Sequence, residues 1–187
     1  MHRCPWPKSE LDITYHDTEW GVPQHDDRGL FEFLILEGAQ AGLSWSTILK
    51  KRANYRVALD HFDANRIVRY DQRKVDALLA NPGIVRNRLK VNAFIGNAQA
   101  YLDLVSAGIA FDDYLWGFTQ HNVVRNRRVA LRDYPVSTPA SDAMAKDLRK
   151  RGFRFIGSTI CYAFMQATGM VDDHQHSCWV GGELDRA

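Results

Sequence analysis

Between Asp27 and Ala41 the apolar residues Leu30, Phe33, Leu34 and Ala41 return at steps of three and four, the spacing that gathers side chains on one stripe of an α-helix. Glu37 falls on that same stripe. An unpaired carboxylate on a buried face is strongly unfavourable or takes up a proton, so the pattern calls for a cation supplied by the protein or by a ligand. Gly42 then breaks the period and Ser44 restarts it as an N-cap. A second helix is expected from Ser44 to about Asp60, with Ile48 and Leu49 inward and Lys50, Lys51 and Arg52 outward. Leu43 and Trp45 are left beside the tight corner between the two helices.

Further along, Asp63 and Asp71 read as N-caps of two short helices, the second burying Val75, Leu78 and Leu79. The break Asn81-Pro82-Gly83 separates it from a long periodic run through Val91, Phe94, Ile95, Ala98, Leu102 and Val105 that stops at Gly108. A short aromatic helix is expected from Phe111 to Phe118, and a polar, Arg-rich loop from Thr119 to Pro139. Ser141 is expected to cap a helix running to Arg151 and ending at Gly152. Ser158 is expected to open another, carrying Ile160, Cys161, Phe164 and Met165 and ending at Gly169. Residues 1 to 25, broken by Pro5, Pro7 and Pro23, read as an irregular arm packed on the rest through Trp6, Tyr15 and Trp20. No stretch shows sustained strand alternation, internal repeat or low complexity. The class is all-α with eight or more helices, in a single domain over residues 1–187.

Composition narrows this only a little. A chain of 187 residues, 45% hydrophobic and 25% charged, suits one globular domain with a real core. The net charge of +2 announces no nucleic-acid partner, so any basic surface must come from local clustering. No apolar run approaches the roughly 20 residues of a membrane span, and MHRCPWPKSE lacks the apolar core of a signal peptide, so a cytoplasmic protein without a membrane partner is expected. The three cysteines, Cys4, Cys161 and Cys178, are odd in number and far apart, which argues against a disulfide framework.

Those thiols have company. Cys4 and His16 lie near one end of the chain and His174 and Cys178 near the other, and two Cys with two His suggest a tetrahedral zinc site. With four protein ligands such an ion is structural and ties the termini together; His2, His25 and His176 are rival ligands. The H-x-E and P-C-x-x-C signatures of a catalytic-zinc deaminase are both missing. The turn Asn81-Pro82-Gly83-Ile84-Val85 resembles a helix-hairpin-helix element, whose backbone amides and following cations hold a DNA phosphate without reading sequence. Arg86, Arg88 and Lys90 supply the cations. A second glycine usually stands where Val85 does, which leaves one close backbone approach open, and a Pro-Gly turn alone is commonly only a turn. Arg125, Arg127 and Arg128, with Lys146, Arg149, Lys150 and Arg151, offer further basic clusters for one positive face. Trp6, Tyr15, Trp20 and Trp45 share the N-terminal third with Glu37. Trp20 reads as core and Trp45 as pocket. A flat cation held between aromatic faces and tipped toward Glu37 accounts for these choices together.

Over MHRCPW, YHDTEWGVP, LEGAQAGLSW, NPGIVRNRLKVNAFIGNA, KRGFRFIGSTICYAFMQATG and VDDHQHSC, nearly its whole length, the chain resembles the bacterial DNA-3-methyladenine glycosylase I family of the helix-hairpin-helix superfamily. The resemblance implies hydrolytic removal of flipped-out 3-methyladenine from double-stranded alkylated DNA, with the free base as product. It implies Glu37 as the catalytic residue, Tyr15 and Trp45 lining the base pocket with Trp6 nearby, and Gly42 and Leu43 pressed into the DNA where the base has left. Gly83 and Arg86 would grip DNA from a helix-hairpin-helix at about 72–106. One structural zinc ion would be held by Cys4, His16, His174 and Cys178. Asp103 is a weak candidate for the catalytic Asp of other superfamily members. Lys90 does not match a Schiff-base lysine, so a monofunctional, monomeric enzyme without strand cleavage is expected. The tail GGELDRA, with Trp179 after Cys178, receives no function. Two rivals remain open, a damage sensor that grips DNA without cutting and a zinc hydrolase of some small molecule.

Overall fold

Helix α2 (Asp27–Gln40) is the axis on which the other elements are packed, because its sequence is apolar almost all round: every residue from Leu30 to Ala39 is buried. The structure is a computed structural model that describes residues 2–184. Asp26 caps α2 by accepting the Gly29 N–H at 2.7 Å, and the helix closes at Ala41. Gly42 then takes a φ of +77°, a left-handed turn that suits glycine. Ser44 caps α3 (Trp45–Ala58) through the Thr47 N–H. The two helices and the corner between them follow the hydrophobic pattern, except that Arg52, expected outward, is only 11% exposed and pairs with Glu19 and Glu32.

Asp63 and Asp71 cap α4 (Ala64–Ile67) and α5 (Gln72–Ala80), and Asn87 caps α6 (Arg88–Ser106). The turn from α5 to α6 is packed tightly. A Cβ on Gly83 would meet the Asn54 Cβ at 3.0 Å, Ile84 is buried, and the Val85 N–H donates to the Tyr55 hydroxyl at 3.0 Å. The open question at Val85 thus has an answer: that amide faces α3 and is not presented to solvent. Next come α7 (Phe111–Trp116), α8 (Pro139–Lys150) and α9 (Ser158–Ala167), with α3, α6, α7 and α9 all packed on α2. Leu30, Leu34, Ile48, Phe94, Phe153 and Phe164 belong to one contiguous apolar core.

Several expectations need correction. Residues 10–18 are not irregular: they form α1 (Glu10–Thr18), started by a reciprocal box in which Ser9 accepts the Asp12 N–H and Asp12 accepts the Ser9 N–H. Its buried residues are Asp12, Tyr15 and His16, so no hydrophobic stripe advertised it. Thr138, not Ser141, is the N-cap of α8, with Pro139 at the first helical position and Ser141 completing the box. Ser158 does open α9, with Gly157 at the N-cap before it. The loop after α7 holds a strand, β1 (Val124–Arg125), paired in parallel with β2 (Val171–Asp172), and a short helix α10 (Trp179–Leu184) follows Cys178. Each is too short to leave a periodic trace.

Two of the basic clusters are also reassigned. Arg127 pairs with Asp172 at 2.6 Å and Arg128 approaches Asp173 at 3.3 Å, both aspartates being buried. These guanidiniums neutralise interior carboxylates. Lys90 is buried as well, and its Nζ donates to the carbonyls of Ala39 and Ala41, both at 2.7 Å. It is therefore not one of the solvated cations of the hairpin, whereas Arg86 and Arg88 are exposed.

Candidate active site and metal centre

The last turn of α2 and the first turn of α3 meet α1 around a cavity of about 310 Å³, a size that suits a small aromatic ligand. Glu37 descends from α2, Tyr15 from α1 and Trp45 from the first residue of α3, and Trp6 and Trp20 close one side. The rings contact one another: Tyr15 and Trp45 are 5.4 Å apart between centroids, Trp6 and Tyr15 6.2 Å, and Trp6 and Trp20 5.3 Å. Trp20, read from the sequence as core, is buried and lines the cavity too.

What distinguishes this cavity is polar atoms without partners. Glu37 is 3% exposed, and its Oε2 has no hydrogen bond. The Tyr15 hydroxyl and the indole nitrogens of Trp6 and Trp45 are likewise buried and unpaired. Such groups are rare in folded proteins and each is unfavourable until a partner arrives. Among the described residues no cation pairs with Glu37. Arg52 on α3 is committed to Glu19 and Glu32, and Lys90 to backbone carbonyls. Burial pushes the Glu37 carboxyl up to about 8. Burial, then the nearby charge of Glu37, raises the Tyr15 phenol well above its ordinary value. Burial thus favours the protonated acid near neutral pH, and a cation against it would restore its charge.

A second buried cluster lies behind the aromatic wall. Ligand atoms of Cys4, His16 and Cys178 lie within 4.8 Å of one another, a group that could hold a metal ion. His16 is oriented for it. His16 turns Nδ1 to Asp17 at 2.8 Å and Nε2 to the Cys178 sulfur at 3.5 Å. His174 turns Nδ1 to Asp172 at 2.8 Å and leaves Nε2 buried without a partner. A carboxylate on one ring nitrogen with the other left inward is the usual second shell of a metal-bound histidine. His174 stands outside the group of three, with its ring 5.0 Å from that of His16. Gly21 makes room for it, since a Cβ there would come within 2.7 Å of the imidazole. The rival ligands lie elsewhere: His2 and His176 are exposed, and His25 pairs with Asp112 and stacks on Trp116.

Gly42 has open space around the position of a Cβ, and Leu43 beside it is 43% exposed, so this corner projects next to the cavity that Glu37 lines. Asp103 is exposed on α6, accepts from Gln99 and does not line the cavity, which leaves it no part in the site. Sequence reasoning missed Tyr134, Pro135 and Gln166, which line the cavity on the side of the long loop and α9. It also missed Asp173, whose carboxylate accepts from Gln166 at 2.8 Å and from the Tyr162 hydroxyl. Only an alternation or a spacing rule would have pointed to these residues, and a loop residue such as Tyr134 obeys neither.

A mostly helical chain that keeps an unpaired acid in an aromatic cage is matched by the family model of the methyladenine glycosylases over residues 6–181, and the chain belongs to that family. It is 49% identical to DNA-3-methyladenine glycosylase 1 of Escherichia coli (strain K12) over 179 residues, 95% of this chain and 96% of the relative. A crystal structure of a 3-methyladenine DNA glycosylase I superposes with a TM-score of 0.94 at 50% identity, covering 95% of this chain and 98% of the other. A Staphylococcus aureus structure, described as the structural basis of 3-methyladenine recognition, gives 0.90 at 32% identity over 93% of each chain. No described helix is long and apolar enough to cross a membrane.

Proposed function

We propose that this protein is a base-excision-repair DNA glycosylase that takes 3-methyladenine out of alkylated double-stranded DNA and hydrolyses its N-glycosidic bond. The observation that carries the reading is Glu37, an unpaired acid inside a ring of indole and phenol. Methylation at N3 puts a positive charge on adenine, which weakens the sugar bond and lets the base leave neutral. Little acid catalysis is then required. The work of the site is extrusion and selection: the cationic ring stacks against Trp45 and Tyr15, with Trp6 behind them, and meets the Glu37 carboxylate. Because burial favours protonated Glu37, arrival of the cation releases that proton to solvent and pairs the new charge with the ring. Neutral adenine brings no such compensation, and its bond is intrinsically strong.

Unstacking one base takes a few kcal/mol, offset by pocket stacking and by Leu43, with Gly42, filling the gap left in the duplex. The turn at Gly83 and the exposed Arg86 clamp the backbone within a helix-hairpin-helix over about 72–106, part of one domain that carries both grip and pocket. Zinc, when bound, supplies a structural cross-link between the ends of the chain through Cys4, His16, His174 and Cys178, the orphaned Nε2 of His174 supporting its place as the fourth ligand. Lys90 is occupied by backbone carbonyls, which supports hydrolysis without strand cleavage. The protein acts as a cytoplasmic monomer on this reading.

The decisive measurement is chromatography of bases set free from methylated duplex DNA. Free 3-methyladenine and an unbroken abasic strand are expected; DNA binding with no released base would replace the enzyme with a damage sensor. Glu37→Gln should bind free 3-methyladenine about tenfold or more weakly while holding DNA nearly as well, as expected for loss of one buried ionic contact.

A further inference from the structure

Lys90 is withdrawn from the hairpin surface into the interior. It sits in the first turn of α6, where Asn87 accepts its backbone N–H at 3.1 Å, and its side chain runs inward to the far end of α2. There Nζ donates to Ala39 and Ala41, at 2.7 Å each, with 5% of the residue exposed and no carboxylate ion-paired to it among the described residues. A helix C-terminus leaves carbonyls unsatisfied and carries partial negative charge. The last turn of α2 has no basic residue of its own, so Lys90 brings the cation from another helix.

The place it grips matters. Glu37 lies one turn before Ala41, and Gly42 and the exposed Leu43 follow directly after it. The Leu43 N–H returns to the Gln40 carbonyl at 2.6 Å, but nothing lies within 4 Å of a Cβ built on Gly42, so the corner lacks side-chain support from outside. We infer that Lys90 is a positioning residue, whose ammonium fixes the end of α2 so that the Gly42–Leu43 corner holds its projection on entering duplex DNA. Because Lys90 belongs to the helix that the hairpin opens, it also links backbone grip to base extrusion. The inference rests on the glycosylase reading above.

The test compares Lys90→Met, which removes the donors, with Lys90→Gln, which keeps two N–H groups without the charge, each alone and combined with Leu43→Gly. Three quantities are read: single-turnover excision from methylated duplex DNA, affinity for free 3-methyladenine, and melting temperature. Both Lys90 variants should slow duplex excision, Lys90→Met by about tenfold, an effect within the range of coupled neighbours. Free-base affinity should stay within about twofold, and in the Leu43→Gly background the Lys90 substitutions should add less than about twofold. An equal slowing with and without Leu43, or a parallel loss of free-base affinity, would make Lys90 a general support of the fold and overturn the inference. So would unchanged excision. A wild-type protein that releases no base from the same DNA sinks the glycosylase reading itself, whereas active wild type with insensitive Lys90 variants sinks only the role of Lys90.

Discussion

Glu37 and Asp173 are buried carboxylates of nearly equal exposure, 3% and 1%, and the protein treats them in opposite ways. Asp173 is saturated. One oxygen accepts from Tyr162 and Gln166, and the other from Asn126 at 2.7 Å and Arg128 at 3.3 Å. Glu37 has no partner on Oε2 and is held protonated by burial. The neighbour of Asp173, Asp172, is likewise satisfied, by Arg127 and by the Nδ1 side of His174. Around Glu37 the chain has assembled aromatic walls and left the polar atoms waiting. Burial alone therefore does not mark a functional acid; burial without compensation does.

Three substitutions press on this contrast. The largest loss of stability is expected from Cys178→Ser in the thiol cluster. Structural zinc contributes binding free energy directly to folding, so a loss on the order of 5 kcal/mol is expected, with zinc missing from the purified protein by metal analysis. Full zinc content and an unchanged melting temperature would remove the metal from that cluster. Asp173→Ala should be next, at about 3–5 kcal/mol by urea denaturation, because it leaves the buried Tyr162 hydroxyl, Gln166, Asn126 and the half-buried Arg128 without their shared acceptor. A loss below about 1 kcal/mol would mean that the network around Asp173 is as dispensable as a surface pair.

The smallest effect has the opposite sign. Since the folded state raises Glu37 from 4.5 to about 8, the native protein binds a proton that the unfolded chain gives up, and stability falls as pH rises through that window. The penalty is absent below about pH 4 and reaches about 3 kcal/mol by pH 7. Glu37→Gln should therefore be the more stable protein at pH 7 and above, and its stability should lose that share of the pH dependence. Parallel stability curves for the two proteins between pH 4 and pH 8 would show that Glu37 is compensated after all.

Much of this was readable before any coordinates. The helices α2, α3, α5 and α6 carry clean periods with Asp, Ser or Asn at their starts, and Glu37 announced itself by interrupting an apolar stripe. Helix α1 was hidden because its inward face is Asp12, which serves the cap and Ser46, Tyr15, which lines the cavity, and His16, which joins the thiols, so no hydrophobic repeat was left to see. Lys90 was misread for a related reason. A lysine in the first turn of a helix ordinarily faces water, and the carbonyls that claim it lie 49 and 51 positions away along the chain. Tyr134 reaches the cavity from a loop whose course depends on Asp173, to whose carbonyl its hydroxyl donates at 2.9 Å. Contacts of that reach leave no signature in local spacing.

The union of the two ends of the chain also dictates an order of assembly. Trp6 and Tyr15 stand within two residues of Cys4 and His16, and those ligands are pinned from the other end, where Gln175 donates to the Cys4 sulfur, Trp179 to the His2 carbonyl, and Cys178 meets His16. During synthesis the first of these residues leave the ribosome early and the last ones late. One wall of the cage must therefore wait, unsupported, until the segment 175–179 has emerged, and a nascent chain cut short before Cys178 would carry Glu37 and Trp45 without the enclosure they need.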